Sequence, residues 1–565
     1  MNNGIVSQNL SLNDPFGNLP KGLLGVPTVI NTPYHFPPNT DWSVNTNNLV
    51  LVFDTRLTFS RSLYGTIQVP STTIYLQIRT LATQRAIIDW GDGSTTILQE
   101  AGFSTQSHTY ACHGVYTVQI SSVTSFDFGT SANLLDTRAL IKCNSFGKIP
   151  FGAISLTFTF AENVNLIDCP ETIPTGITSM NNFFRRCSNF NNSKVSYWNT
   201  SNIVDINNAF LAATNFNQPL YWNTSKVTSM QNTFNSCVVF QGQGLENWDV
   251  SGVTNMGDMF INCSNFNANL SSWDVRSLRT CPTIFSSCPS FIGSGLSNWQ
   301  LRPVGTIQNM FSSCTRLGSG LPLTLSNWNV TGVTSMNSLF SFCTNLTNLT
   351  ISGWRGANGC IHDNMFANAN ISGSYLPNWV FSSGNSCNNL FGGCNMANVS
   401  GLSSWNTSGI TNPRSMFAGA TNLNSIDSIS NWDTRNFTDT RSMFQTNFNQ
   451  NLSGWNVSKV TTMEAMFASN PVFAGSGLEN WNLAGLNVSS ALNLFLVNGG
   501  IPSGQYDLIL NSWASKTGLS QNGVANWFSP MTPNFGNSKF TAAGSGAREA
   551  LRAYGWVFSD GGLQT

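Results

Sequence analysis

The chain has 565 residues, too many for one hydrophobic core, so several domains or an array of repeats must carry it. Charged residues are only 9% and cancel at 25 against 25, which leaves no long-range field to draw nucleic acid or an anionic membrane surface. Aromatics at 12%, with 39 Phe and 17 Trp, supply the apolar area for a packed interior and argue against disorder.

In chain order, residues 1–44 are rich in Pro, Asn and Gly without periodicity and predict an extended N-terminal arm that docks the protein to its assembly. The start, Met1-Asn-Asn-Gly-Ile-Val-Ser, lacks the basic and apolar pattern of a secretory signal. The expectation is therefore a protein made in a cytoplasm and carried out by assembly into a particle. No stretch approaches the roughly 20 apolar residues of a membrane span. Within 45–130, Ala86-Ile-Ile-Asp-Trp90-Gly-Asp-Gly93-Ser-Thr-Thr-Ile-Leu98 predicts two strands around a tight turn, and Gly114-Val-Tyr-Thr-Val-Gln-Ile120 a further strand. Trp90-Gly-Asp-Gly, His108-Thr-Tyr110 and Gly114-x-Tyr-Thr-Val together resemble the PKD-type immunoglobulin-like β-sandwich, which implies a spacer or interaction module. Asp89 and Asp92 are a carboxylate pair that could ligate calcium or flank a glycosidic bond, but a two-residue turn holding them is the commoner explanation. His108 likewise reads as a structural hydrogen-bonding residue.

Residues 131–177, with Phe151-Gly-Ala-Ile-Ser-Leu-Thr-Phe-Thr-Phe160, predict a degenerate first coil that caps a stack. From 178 to 500 a repeat dominates. Twelve Trp run from Trp198 to Trp481 at a mean step of about 26 residues, and in eleven of twelve coils a Phe follows its Trp by twelve. From that Phe to the next Trp the distance drifts between 11 and 17. Leu270-Ser-Ser-Trp273-Asp-Val275 alternates as a half-buried strand would, and Met256-x-x-Met259-Phe260-x-x-Cys263 has the i, i+3, i+4, i+7 spacing of a helical turn. Trp248, Phe260, Trp273, Phe285, Trp328 and Phe340 are the expected structural core of the stack. Cys187, Cys237, Cys263, Cys288, Cys314, Cys343 and Cys394 stand three residues after the repeat Phe, where other coils have Ala213, Ala369 and Ala420. Interchange with Ala marks a small buried site rather than a bridge. The spacing to His is wrong for zinc, and no metal or cofactor is expected.

Trp248-Asp-Val-Ser-Gly-Val-Thr-Asn-Met-Gly-Asp-Met-Phe260 and Trp455-Asn-Val-Ser-Lys-Val-Thr-Thr-Met-Glu-Ala-Met-Phe467 resemble the repeat of the BspA-like leucine-rich-repeat surface proteins, found in bacterial adhesins and in structural proteins of tailed phages. The resemblance implies binding to other macromolecules or cell surfaces. Residues 501–565 predict a small α+β cap: Tyr506, Ile509, Leu510 and Trp513 on one helix, Ala547, Ala550, Leu551 and Tyr554 on a second, and a last strand at Gly555-Trp-Val-Phe558. Gly536-Asn-Ser-Lys-Phe-Thr-Ala-Ala-Gly544 and Tyr554-Gly-Trp-Val-Phe-Ser-Asp-Gly-Gly562 resemble the C-terminal ends of repeat proteins in phage genomes. The expected fold is an α/β repeat solenoid, leucine-rich-repeat-like, of about 13 coils, between a PKD-like sandwich and that cap.

No Walker loop, nucleophile elbow or His-Glu-x-x-His motif occurs, so no catalytic residue is predicted. In nine of twelve coils Asn or Asp follows the Trp, as at Asn199, Asn223, Asp249, Asp274, Asn329, Asn406, Asp433, Asn456 and Asn482. Such a column is either an internal ladder or an exposed row offered to glycans, and its regularity favours the ladder. Recognition is expected on the variable Phe-to-Trp edge, at Arg316, Leu317, Ser319, Leu321 and Leu323, because insertions survive where the backbone loops into water. The expected function is a non-enzymatic virion component of fibre, spike or capsid surface. Its expected partners are other virion proteins through the N-terminal region and a host surface protein or glycan, with self-association allowed; a bacterial surface adhesin is the alternative.

Overall fold

A computed structural model of the chain describes residues 47–57, 72–80, 85–99, 102–127, 139–147, 159–302, 304–486, 488–516 and 531–565. The arm expected at 1–44, and 131–138 and 148–158 of the expected first coil, lie outside the described residues.

Eight strands form two sheets in the N-terminal third. The first runs in the order Thr95–Leu98 (β4), Ala86–Asp89 (β3), Val115–Ile120 (β6), Leu49–Asp54 (β1) and Leu140–Phe146 (β8), and the second Gly102–Thr109 (β5), Thr73–Thr80 (β2) and Val123–Asp127 (β7). β1 (Leu49–Asp54) is buried at every position and takes the place between two antiparallel partners, β6 (Val115–Ile120) and β8 (Leu140–Phe146). β2 (Thr73–Thr80) buries alternate residues, Ile74, Leu76 and Ile78, and lies between β5 (Gly102–Thr109) and β7 (Val123–Asp127). These residues share one core with Leu49, Leu51 and Phe53 of β1 and with Ile88 and Trp90. β3 (Ala86–Asp89) and β4 (Thr95–Leu98) flank the expected turn, in which Gly91 and Gly93 adopt φ of +80° and +92°. The sheet runs past residue 130, because β8 is its edge strand. β8 also begins the repeats: Lys142 bridges Asp168 in parallel, and the Cys143 N–H donates to the Asp168 carbonyl at 3.1 Å.

From there the chain is a repeated domain of turns and parallel bridges. Ser179, Asp205, Ser229, Asn255 and Thr280 bridge in succession, and a second run joins Thr324, Thr350, Tyr375 and Ser400. The helical turn expected at Met256–Cys263 does not form. The N–H groups of Met256, Asp258, Phe260 and Asn262 donate to carbonyls of the next repeat, at Thr280, Pro282, Ile284 and Ser286, over 2.9–3.1 Å. Those of Met259, Ile261 and Cys263 close tight turns onto Met256, Asp258 and Phe260. A helix would send every N–H to its own chain four residues back. Here Asp258 and Asn262 sit at φ of +60° and +61°, which breaks the helix and turns alternate amides toward the neighbour.

The strand expected at Leu270–Val275 is also absent. The Trp273 N–H closes a turn on the Leu270 carbonyl at 3.1 Å, and the Asp274 carboxylate accepts the Arg276 N–H, bending the chain again. Among the described residues, α-helix is confined to the C-terminal part, in α1 (Ser503–Lys516) and α2 (Ala542–Ala553), the two helices expected there; the repeats hold only short 3-10 turns such as Leu245–Asn247 and Leu296–Asn298. The last strand expected at Gly555–Phe558 is reduced to single parallel bridges at Ser559 and Leu563. No described helix is long and apolar enough to cross a membrane.

Three aromatic columns run through the interior: the repeat Trp, the repeat Phe and, over part of the array, Phe190, Phe216, Phe240, Phe266 and Phe291. Trp248, Phe260, Trp273, Phe285, Trp328 and Phe340 are each at most 3% exposed. Phe234, Phe260, Phe285, Phe311 and Phe340 stack at centroid spacings of 5.6–5.7 Å. Each indole N–H is satisfied by the repeat before it, as from Trp248 to the Leu220 carbonyl at 3.0 Å and from Trp273 to Leu245 at 2.9 Å.

Candidate recognition groove

The thiol column is structural. Cys237, Cys263, Cys288 and Cys314 each donate to the carbonyl of a Phe in the preceding repeat at 2.9 Å, and all thirteen cysteines are free thiols. Burial pushes the Cys281, Cys314 and Cys360 thiols up to about 12, so the nucleophilic thiolate is suppressed. Cys112 alone is exposed. Iodoacetamide applied to the native protein at pH 8 should therefore add one adduct, at Cys112, and thirteen after denaturation. Rapid native labelling of Cys263 or Cys288, read by peptide mass spectrometry, would contradict the packing.

The post-Trp Asn/Asp column is neither a ladder between coils nor a row of free groups. Each side chain accepts the N–H two residues on in its own coil, at 3.0–3.2 Å in Asn199, Asn223, Asp249, Asp274, Asn329, Asn406, Asn456 and Asn482. Asp433 does the same at 3.3 Å. One residue later, buried Thr200, Thr224, Thr407 and Thr434 do bond between coils, donating to the next repeat's carbonyls. In the N-terminal sheets, Asp92 pairs with His108 at 2.7 Å and accepts from Ser94, and the imidazole stacks on Trp90. Partial burial opposes ionisation of Asp92, yet the bonds from Ser94 and His108 hold its carboxyl below the usual range. Asp89 accepts the Gly91 N–H, so both carboxylates hold the turn.

The variable edge divides in two. Leu317 and Leu323 are 0% and 4% exposed and leave the recognition set: they anchor the inserted loop, with the Leu317 methyl 2.9 Å from where a Cβ on Gly293 would stand. Arg316 and Leu321 are exposed and Ser319 is half-buried. Of the five, only Arg316 lines a groove of about 660 Å³ that crosses five successive repeats on their Phe-to-Trp side. Its other walls include Tyr221, Gln241, Gln243, Glu246, Asn265 and Asn267.

The groove is held open by the backbone beneath it. Gly242 and Gly244 stand at φ of +87° and +89°, and a Cβ on Gly244 would lie 2.7 Å from the Leu220 backbone. The Asn267 N–H reaches the Gln241 carbonyl at 3.3 Å, and the Asn267 side-chain oxygen accepts the Ile292 N–H at 3.1 Å. The Glu246 carboxylate closes onto the Gly244 N–H at 3.0 Å and the Asn247 amide at 3.5 Å. Among the described residues, the amides of Gln241, Gln243 and Asn265 and the Arg316 guanidinium have no hydrogen-bond or ion-pair partner. Tyr221, 44% exposed, stacks on Tyr197, 78% exposed, with ring centroids 5.1 Å apart and planes 24° apart.

The family described as "Mycoplasma protein of unknown function, DUF285" matches four overlapping stretches, residues 154–241, 220–322, 285–400 and 385–496. These tile the repeats on which the BspA-like resemblance rests, and they include every residue of the groove. No curated protein and no solved structure matches the chain.

Proposed function

The chain belongs to the DUF285 family, and from the groove its repeats carry we propose that it is a non-enzymatic attachment protein: a leucine-rich-repeat-like solenoid that presents the Phe-to-Trp edge to a surface partner. The observation that carries this is the rigid groove with unengaged amides and guanidinium crossing five repeats, since spare hydrogen-bonding capacity on a fixed scaffold is what a recognition site needs. Its lining supports binding without turnover. Hydrolysis of a glycosidic bond uses two carboxylates, whereas the lining holds one, Glu246, already bonded to Gly244 and Asn247. Residues 45–130 we read as a PKD-like spacer, and 1–44 as the docking arm.

The setting we favour is a virion surface, on the likeness of residues 536–544 and 554–562 to repeat proteins of phage genomes. The Mycoplasma family description favours the second reading, a bacterial surface adhesin. Beads coated with the full chain should adhere to bacterial or animal cells, and Gln243→Ala combined with Asn265→Ala should reduce adherence severalfold at unchanged melting temperature. Failure of the beads to adhere to any cell surface would overturn attachment. Antibody labelling of phage particles against bacterial envelopes separates the two settings.

A further inference from the structure

We propose that the groove is a subsite for an acidic oligosaccharide, an inference that rests on the attachment reading and narrows it to a ligand class. Two coils depart from the repeat beside the groove. The residue just before the repeat Trp is Asn, Ser or Gly in ten coils, as at Asn247, Ser272 and Gly353, and it is Tyr only in the two consecutive coils with Tyr197 and Tyr221. Packing does not call for these rings, which lie outside the buried aromatic columns and keep 78% and 44% of their surface. Their 5.1 Å stack makes a rigid apolar platform on the surface, and Tyr221 brings it to the groove wall. Such a platform suits the C–H face of a pyranose ring, which combines apolar area with a polar rim.

Hydrogen-bonding capacity follows in the next repeats. The free amides of Gln243 and Asn265 each offer donors and an acceptor, which matches neighbouring sugar hydroxyls. Arg316, contributed by the last of the five repeats, is the cation of the lining. With no carboxylate partner among the described residues, its guanidinium fork is open to a ligand carboxylate or sulfate. Glu246, the lining's one carboxylate, is turned to its own backbone by the Gly244 N–H and does not compete for Arg316. The volume, about 660 Å³, lies in the range of sites for small ligands, roughly 300–1,000 Å³.

The test is a glycan array carrying sialylated, uronate-bearing, sulfated and neutral oligosaccharides, probed with the full chain and two variants. The wild type should bind acidic members and prefer them at least about tenfold over neutral ones of equal length. Tyr221→Ala should weaken all binding about tenfold, whereas Arg316→Gln should remove the acidic preference. Both side chains are exposed, so melting temperatures should hold. Three results would each overturn the inference: no acidic member bound, equal binding of neutral and acidic members, or both variants binding as wild type. If coated beads still adhere to cells in those cases, attachment survives and only the glycan assignment falls.

Discussion

Trp328→Ala should cost about 3–5 kcal/mol of stability, the range for truncating a large buried aromatic. The indole is 3% exposed and lies between Trp299 and Trp354, at centroid spacings of 6.2 and 6.3 Å, with the Phe311 ring 6.0 Å away. Its N–H donates to the Leu296 carbonyl at 3.3 Å, so the variant leaves both a cavity and an unsatisfied acceptor in the preceding repeat. Repeats gain most of their stability from neighbours, and the damage should spread to the coils of Trp299 and Trp354. Urea unfolding gives the magnitude, and amide exchange should show lost protection at Phe311, Phe340 and Phe366, whose N–H groups donate from one repeat to the next. Tyr197→Ala, at an exposed ring, is the control and should change stability little. A Trp328→Ala protein as stable as that control would place the Trp column outside the core.

How far the structure could be read in advance follows from what each pattern constrains. The constant interval of twelve between Trp and Phe places both side chains at fixed points of one coil, and the buried columns follow from it. The helical turn was misread because i, i+3, i+4, i+7 spacing also fits successive tight turns that point the same residues inward. The distinguishing signal lies at the positions between, where Asn208, Asn232, Asp258, Asn309 and Asn364 adopt positive φ. Asn and Asp tolerate that region better than other side chains, so their recurrence two residues after the inward Met or Ile, or His362 in one coil, marks the turns. Leu317 and Leu323 were misplaced for a different reason: a long loop needs apolar anchors of its own, and their identity as Leu was the clue. Tyr197 and Tyr221 carry no periodic signal: they break the repeat in two adjacent coils, and only that departure marks them. That the Arg316 guanidinium stays open while the Glu246 carboxylate closes onto the Gly244 N–H is set by local loop geometry, which residue spacing does not encode.

His362 breaks the pattern inside the core, and it should make the protein sensitive to acid. It occupies the inward position four residues before the repeat Phe, where Met230, Met256 and Met336 stand in other coils. The ring is 3% exposed, meets Phe381 edge-on at 5.1 Å, and its Nδ1 has no hydrogen-bond partner. Burial is the main cause that lowers its pKa from 6.5 to about 4. The unfolded chain therefore takes up a proton between those values that the folded chain refuses, and stability falls as pH drops through that window. The loss should begin near pH 6.5, reach about 3 kcal/mol near pH 4 and level off below it. Carboxylates held low by their own bonds, such as Asp92 and Asp433, lose stabilisation at the acid end of the same titration, so the comparison must be with a variant. His362→Met restores the residue of other coils and removes this group alone. Urea midpoints of wild type and variant should diverge between pH 7 and pH 4, the variant falling less. Parallel pH profiles would show that the imidazole is protonated, and tolerated, within the folded repeat.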